Sequence, residues 1–505
     1  MTAELELRGI TKEFPGVVAC DRIDLTVRAG EIHCIVGENG AGKTTLMSIL
    51  YGLLQPDAGD IVVRGQRTTI HSPLEAIGLG IGMVHQAFKL FPTLTVAENV
   101  VFRQEPSKRG VIDRRRASRD VRELADAYGL AVDPDAVVEE LPVGVLQRVE
   151  IIKALYRQAS VLILDEPTAV LTPQERDRFF EVMRRLRDSG RTILFITHKL
   201  AEVMAVADHI TVLRQGRSVA ELEPAKTTPE EISQHMTGRD VSPVRRGRAH
   251  KAGEVVLSVE KLEVEGSHGL TAVDGVSLQV RAGEVVGIAA VAGNGQSELI
   301  EAITGLRAVR GGSIHIGDEE VTHADVARRR RAGLAYIPED RHRVGTVADA
   351  SISKNLMMGY QRLPQLRRRR WLSLAAVRRH AEQLCERYSI RTHSVDAAAA
   401  SLSGGNLQRI VLAREMHHDS PLLIAEQPTR GVDIGAIQFI HTQILEARDR
   451  GQAVLLVSAE LNEIQALASR ILVMFEGRVA AELDPDAVDE AEIGLHMTGG
   501  ATVGA

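Results

Sequence analysis

Cysteine is scarce in this chain: Cys20, Cys34 and Cys385 are the only three. They are odd in number and far apart, so the sequence offers neither a disulfide framework nor zinc-binding spacing, and no disulfide partner is expected. Aromatics are equally thin, at 3%, with a single tryptophan, Trp371. Long apolar runs are missing as well. Apolar runs such as residues 32–36 and 161–164 are strand-sized and far short of the roughly 20 residues a spanning helix needs. The opening MTAELELRGITKEF lacks the basic-then-apolar order of a secretory signal. Positive charge is not in excess either: 61 Lys+Arg face 67 Asp+Glu, a net of −6. No nucleic-acid partner is therefore expected. What is present is a 44% apolar fraction spread over 505 residues, enough for several cores without staples.

The chain repeats itself. AGEIHCIVGENGAGKTTLMSILYGL at 29–53 aligns with AGEVVGIAAVAGNGQSELIEAITGL at 282–306, an offset of 253. ISQHMTG at 232–238 aligns with IGLHMTG at 493–499, an offset of 261. The extra residues of the second copy are expected near QRLPQLRRRRWL, at 361–372. A period this long is domain-sized, which reads as duplication and fusion of one domain. The expected division is a first copy at 1–245, a polar, basic join at 246–253, a second copy at 254–499 and a tail at 500–505. Within each copy, β-branched runs alternate with helical stretches, the pattern of an α/β domain with buried parallel strands. Residues 175–188 predict an amphipathic helix that begins after Pro173 and stops at Gly190.

Chemistry concentrates in the first copy. Gly37, Glu38, Asn39, Gly40, Ala41, Gly42, Lys43 and Thr44 follow a predicted strand and precede a predicted helix, the context that a P-loop requires. Its glycines let backbone N–H groups approach phosphates, and the helix N-terminus adds partial positive charge. Lys43 is expected on the β- and γ-phosphates of ATP and the Thr44 hydroxyl on Mg²⁺, with Thr45 beside it. The run VLILDE at 161–166 is a buried strand ending in two carboxylates. Asp165 can hold Mg²⁺, and Glu166 can act as general base on the attacking water.

In their order, these motifs resemble those of the ATP-binding-cassette ATPases over nearly the whole chain, twice. The resemblance implies two tandem P-loop cassettes. Each would have a parallel-sheet core, an N-terminal antiparallel β subdomain and a helical subdomain. It implies that Phe14 stacks on adenine, that Gln86 is the Q-loop glutamine and a Mg²⁺ ligand, and that His198 contacts the γ-phosphate.

The second copy has lost these groups. At the 253 offset, Gln296 stands for Lys43, Ser297 for Thr44, Ala290 for Gly37, Ser267 for Phe14 and Glu339 for Gln86. At the 261 offset, Glu426 and Gln427 stand for Asp165 and Glu166, and Ala459 for His198. A neutral amide supplies neither the lysine charge nor a base. The reverse holds for the signature segment. Leu402, Ser403, Gly404, Gly405 and Asn406 are near the family's LSGGQ, whereas the first copy has Leu141, Pro142, Val143, Gly144 and Val145. Family members pair head to tail, each ATP lying between one P-loop and the other copy's signature. All losses then fall on one composite site. The other joins Lys43, Asp165, Glu166 and His198 to Ser403, with Asp433 as the D-loop aspartate and Thr172 as its counterpart.

The resemblance is closest to fused two-cassette ATPases of bacterial monosaccharide and nucleoside importers, with LPVGVLQRVEI, VAGNGQSELIEAITGL and YIPEDRHRVG nearer the nucleoside branch. It implies two integral-membrane permease subunits, an extracytoplasmic substrate-binding lipoprotein, and a peripheral place on the cytoplasmic side of the membrane. A ribose- or galactose-type importer is the alternative. A soluble tandem ATPase of ribosomes or DNA is a further one. It fits less well, because such proteins keep both sites and carry a long charged linker or zinc cysteines. Residues 87–91, with Phe88 and Phe91, are expected to meet the permease. The arginine runs 114–116, 328–331 and 367–370 are expected to be solvated faces, the last having, beside Trp371, the composition of a headgroup contact.

Overall fold

The computed structural model describes residues 3–499, except 16, 86–87, 109, 169–170, 198, 239–245, 247–251, 267–268, 292, 370, 419 and 433. The chain divides into two compact units, Met1–Ser242 and Pro243–Ala505.

In the first unit a six-stranded sheet runs in the order Arg217–Leu222, His209–Arg214, Ile32–Gly37, Thr192–Ile196, Val161–Asp165, Ile81–Val84. All neighbours are parallel except the first pair, which is a hairpin. The central strands Ile32–Gly37, Val161–Asp165 and Thr192–Ile196 are buried at every position. This explains why they are unbroken apolar runs rather than alternating ones. Register aligns Ile196 with both Ile35 and Asp165, so three strands end together at one edge. A four-stranded antiparallel sheet, in the order Val17–Arg28, Ala3–Phe14, Ala58–Val63, Gln66–Thr68, covers one side. One core joins both sheets through Ile10, Ile23, Leu46, Ile49 and Ile163. Helices Val96–Val101, Arg114–Tyr128 and Val143–Tyr156 form a separate helical part. The expected helix spans Pro173–Asp188, with Pro173 in its first turn and a Thr172–Glu175 capping box.

The second unit repeats this topology. Its larger sheet orders Leu334–Ile337, Leu422–Glu426, Ala453–Ser458, Val285–Ala289, Arg470–Phe475 and Arg478–Leu483. Equivalent hydrogen bonds locate the extra residues. Asn99 accepts from Phe91 N and donates to Phe91 O, Leu94 O and Thr95 O. Asn355 repeats this with Val347, Ala350 and Ser351. The offset there is already 256, so three residues enter at 338–346, where a π-helical turn, Arg341–Gly345, forms. The bond from Asp113 N to Pro106 O recurs from Ser373 N to Leu366 O, an offset of 260. The expected position near 361–372 therefore holds for only part of the insertion.

The arginine run at 328–331 is a solvated face only in part: Arg328 and Arg331 are exposed, and the two residues between them are not. Arg329 is fully buried and donates to Ala302 O, Ile303 O, Thr322 O and Ala324 O. The first two belong to the last turn of helix Gln296–Thr304, where Ala302 O also accepts from the capping Gly305 N. Arg330 forms a two-pronged pair with buried Glu415. Among the described residues no helix is long and apolar enough to cross a membrane. All three cysteines are buried free thiols.

Candidate functional site

The phosphate cradle grows from the end of strand Ile32–Gly37. Gly42, at the N-terminus of helix Lys43–Leu50, has φ 101°, a conformation that favours glycine. A side chain there would also strike Ala19 O at 2.3 Å, and one at Gly37 would strike Leu213 O at 2.4 Å. The loop over Glu38, Asn39, Gly40 and Ala41 is closed by the bond from Ala41 N to Glu38 O. Lys43 is 6% exposed and turns back into the cradle, donating to Gly37 O (2.6 Å) and Glu38 O (3.0 Å). Burial lowers its pKa, while Glu166, Asp165 and Glu38 oppose that shift. Thr44 is exposed and Thr45 half-buried at the head of the same helix.

Asp165, two strands away, is buried, and its pKa is raised from 3.8 to about 6. Desolvation is the main cause and repulsion from Glu166 the second, with Lys43 pulling the other way. Glu166 turns out of the strand in a left-handed conformation, φ 46°, pinned by Glu166 N donating to Ile196 O. Phe14 ends strand Ala3–Phe14 with 41% of its surface exposed, accessible to a flat ring. Hard oxygen donors from Thr44 and Asp165, completed by phosphate oxygens, are the donor set that suits Mg²⁺. Gln86, His198 and Asp433 lie outside the described residues, as does Ser267.

One site residue escaped sequence reasoning. Glu202, in helix Leu200–Val206, is 2% exposed. Its carboxylate accepts from Thr168 Oγ1 (2.7 Å to each oxygen) and Thr197 Oγ1 (2.9 Å). It thereby ties the segment after Glu166 to the segment after strand Thr192–Ile196. The helical spacing of residue 202 resembles any polar position; its partners lie 34 and 5 residues away.

The second unit keeps the cradle's shape. Gly295 caps helix Gln296–Thr304 at φ 92°, and Asn294 N donates to Val291 O. Its chemistry is different. Gln296 is buried with its Oε1 unpaired. Tyr336 OH donates to Glu426 at 2.6 Å, and Ser297 hydrogen-bonds the same carboxylate. Tyr336 stands where the first unit has Met83. Gln427, in the place of Glu166, accepts from Ala459 N at 3.1 Å and is a backbone tie. The corner that corresponds to Thr44 and Asp165 is filled here by a tyrosine hydroxyl, and its donor set does not suit Mg²⁺.

The two signature segments begin their helices alike. Pro142 caps Val143–Tyr156 at φ −60°, ψ 151°; Ser403 caps Gly404–Met416 at φ −64°, ψ 156°. Proline fits that φ, so the difference is the hydroxyl. Ser403 Oγ makes no capping bond and accepts only from Asn406 Nδ2 among the described contacts. Arg341, from the inserted turn, donates to Arg430 O and Gly431 O and packs over Gly404.

The ABC transporter profile matches residues 20–169 and 273–430. The chain belongs to the ABC transporter family. It is 42% identical to the nucleoside import ATP-binding protein NupA of Lactococcus lactis, over 98% of each chain. It is 46% identical to the guanosine import ATP-binding protein NupO of Bacillus subtilis, over 98% of this chain and 97% of that one. It is 47% identical to the glucose import ATP-binding protein TsgD13 of Haloferax volcanii, over 100% and 98%. Both matched stretches contain a cassette's cradle; the first has Lys43, Asp165 and Glu166 where the second has Gln296, Glu426 and Gln427.

Beside the first cassette's Q-loop, Lys89 N donates to Glu150 Oε1 and Phe91 N to Asn99 Oδ1. Phe88 is half-buried, whereas Phe91 is exposed and packs on Phe102. A cleft opens here between Tyr51, His85, Phe91 and Lys153.

Proposed function

We propose that this ABC protein is the ATP-hydrolysing subunit of a solute importer with one competent ATP site. The observation that carries this reading is the partition of losses. Lys43, Asp165 and Glu166 are assembled in the first cassette, and the signature serine Ser403 is present only in the second. Turnover then requires both halves of the chain. The second cassette acts as a structural and signalling partner.

In this reading Lys43 and the cradle N–H groups hold the β- and γ-phosphates of ATP. Phe14 holds the adenine. Glu166 takes the proton from the attacking water, and His198 and Gln86 sense the γ-phosphate. Thr44, Asp165 and Gln86 hold Mg²⁺, which supplies charge neutralisation at the phosphates. Ser403, the N–H groups of Gly404 and Gly405, and Asp433 complete the site. The lipid-facing machinery is a pair of permease subunits, fed by an extracytoplasmic binding protein, with this chain peripheral on the cytoplasmic side. The cleft beside Phe91 suits a short permease helix, since one aromatic wall and one charged wall orient an amphipathic segment. A nucleoside is the solute we favour, from the nucleoside and guanosine relatives. The glucose relative supports a monosaccharide as second reading. Ligand binding to the partner lipoprotein decides between them.

The test is a matched pair. Glu166→Gln should abolish phosphate release, by at least about 100-fold, while ATP still binds. Gln427→Ala should leave turnover within about twofold. Comparable loss from both substitutions would refute a single competent site.

A further inference from the structure

We propose that the hairpin of Arg367–Arg368 with Trp371–Leu372 is a docking surface for anionic lipid headgroups, separate from any permease contact. The hairpin lies between helices Ile352–Met357 and Leu374–Arg387 of the second unit. Trp371 is 81% exposed and Leu374 77% exposed, with Leu372 beside them. A tryptophan this exposed usually folds back onto neighbouring apolar surface. Here it is held outward. Leu366 is fully buried below the hairpin, Ser373 N donates to Leu366 O, and Ser373 Oγ accepts from Ala376 N to start the next helix. Arg368 pairs across the hairpin with Trp371, and Arg369 takes the left-handed turn at φ 55°.

Charge identifies the occupant. Residues 350–381 contain eight Lys or Arg and no Asp or Glu, in a chain whose net charge is −6. Arg367, Arg368 and Arg369 are all exposed. An indole between exposed arginines and leucines matches the interfacial layer of a bilayer, with the ring at headgroup depth and bases on phosphates. The cytoplasmic loops of membrane proteins are enriched in Lys and Arg, so a basic hairpin is mismatched to them and matched to lipid. The first unit's equivalent hairpin, Ser107–Lys108 with Val111–Ile112, also exposes its two apolar residues. There Glu105, Asp113 and Asp120 interrupt the positive charge, so the second hairpin dominates.

Trp371 is the chain's only tryptophan, so its emission reads the hairpin directly. The full chain is mixed with vesicles of phosphatidylglycerol and phosphatidylcholine in equal parts, or of phosphatidylcholine alone. It should cosediment with the anionic vesicles, and Trp371 emission should shift to the blue. Both effects should fade as salt rises from about 0.05 to 0.5 M, as the screening length shortens. Arg368→Glu with Arg369→Glu should lower vesicle affinity at least about 25-fold, each arginine being worth about fivefold, with ATP turnover and circular dichroism unchanged. Leu374→Ser should weaken binding with the charges intact. Absence of cosedimentation, equal binding to neutral vesicles, or binding without an emission shift would each overturn the proposal. So would a shift produced by heparin and not by vesicles.

Discussion

Asp165 is held at a cost to stability, and Asp165→Asn should reveal it. Its carboxyl titrates at about 6 in the folded protein against an ordinary 3.8. A raised carboxyl pKa means that the folded state binds this proton more tightly than the unfolded chain. The group therefore favours folding below about pH 4 and loses that advantage as pH rises through about 6. A difference of some two pKa units corresponds to about 3 kcal/mol at pH 7.5. Asparagine has nearly the same shape and no charge to desolvate. Asp165→Asn should thus stabilise the first unit by about 2 to 4 kcal/mol at pH 7.5 and by close to nothing at pH 4. It should abolish ATP turnover, an exchange of function for stability often seen at active sites. Amide hydrogen exchange in strand Val161–Asp165 is the assay, because buried central strands open only with their whole unit. Protection should rise about 100-fold at pH 7.5. A gain of equal size at pH 4 would show that ionisation is not the cause. No gain at pH 7.5 would refute the strain itself.

Glu202→Ala leaves the buried hydroxyls of Thr168 and Thr197 without their acceptor, which should cost about 3 kcal/mol by the usual worth of charge-assisted bonds. Denaturant unfolding checks this, and kcat should fall further than ATP affinity; an unchanged kcat would reduce Glu202 to a structural brace. Arg341→Ala frees the segment at Arg430–Gly431 and the start of the signature helix. It should lower ATP turnover about tenfold with nucleotide affinity at the first cradle unchanged, measured by fluorescent-nucleotide titration.

Legibility followed the sequence range over which each group finds its partners. The cradle was readable because Gly37, Gly40, Gly42 and Lys43 act within one turn of chain, through backbone geometry that only certain residues allow. The carboxylate strand was readable because burial on both faces demands an unbroken apolar run. Arg329 was not: two of its four carbonyl partners lie far off at 302 and 303, and nothing in a run of arginines marks one as a helix cap. Tyr336 was invisible for the same reason, since Glu426 is 90 residues away. The insertion was misplaced in part because a visible low-complexity stretch drew all eight residues, whereas three of them form the turn that carries Arg341.

The second cradle also explains why a cassette can lose catalysis without losing its fold. Asp165 is buried against its own charge, whereas Lys43 is held by Gly37 O and Glu38 O and its replacement, Gln296, leaves Oε1 unpaired. In the second unit two of the changed groups, Glu426 and Gln427, contribute to holding the loops. Gln427 bonds Ala459 N, Glu426 is closed off by Tyr336 and Ser297, and Arg341 clamps the segment beside Ser403. At positions 426 and 427 the substitutions thus put groups already bonded where the first unit has Asp165 and Glu166. These bonds tie the loops around the second cradle to one another, and Arg341 does the same for the segment beside Ser403.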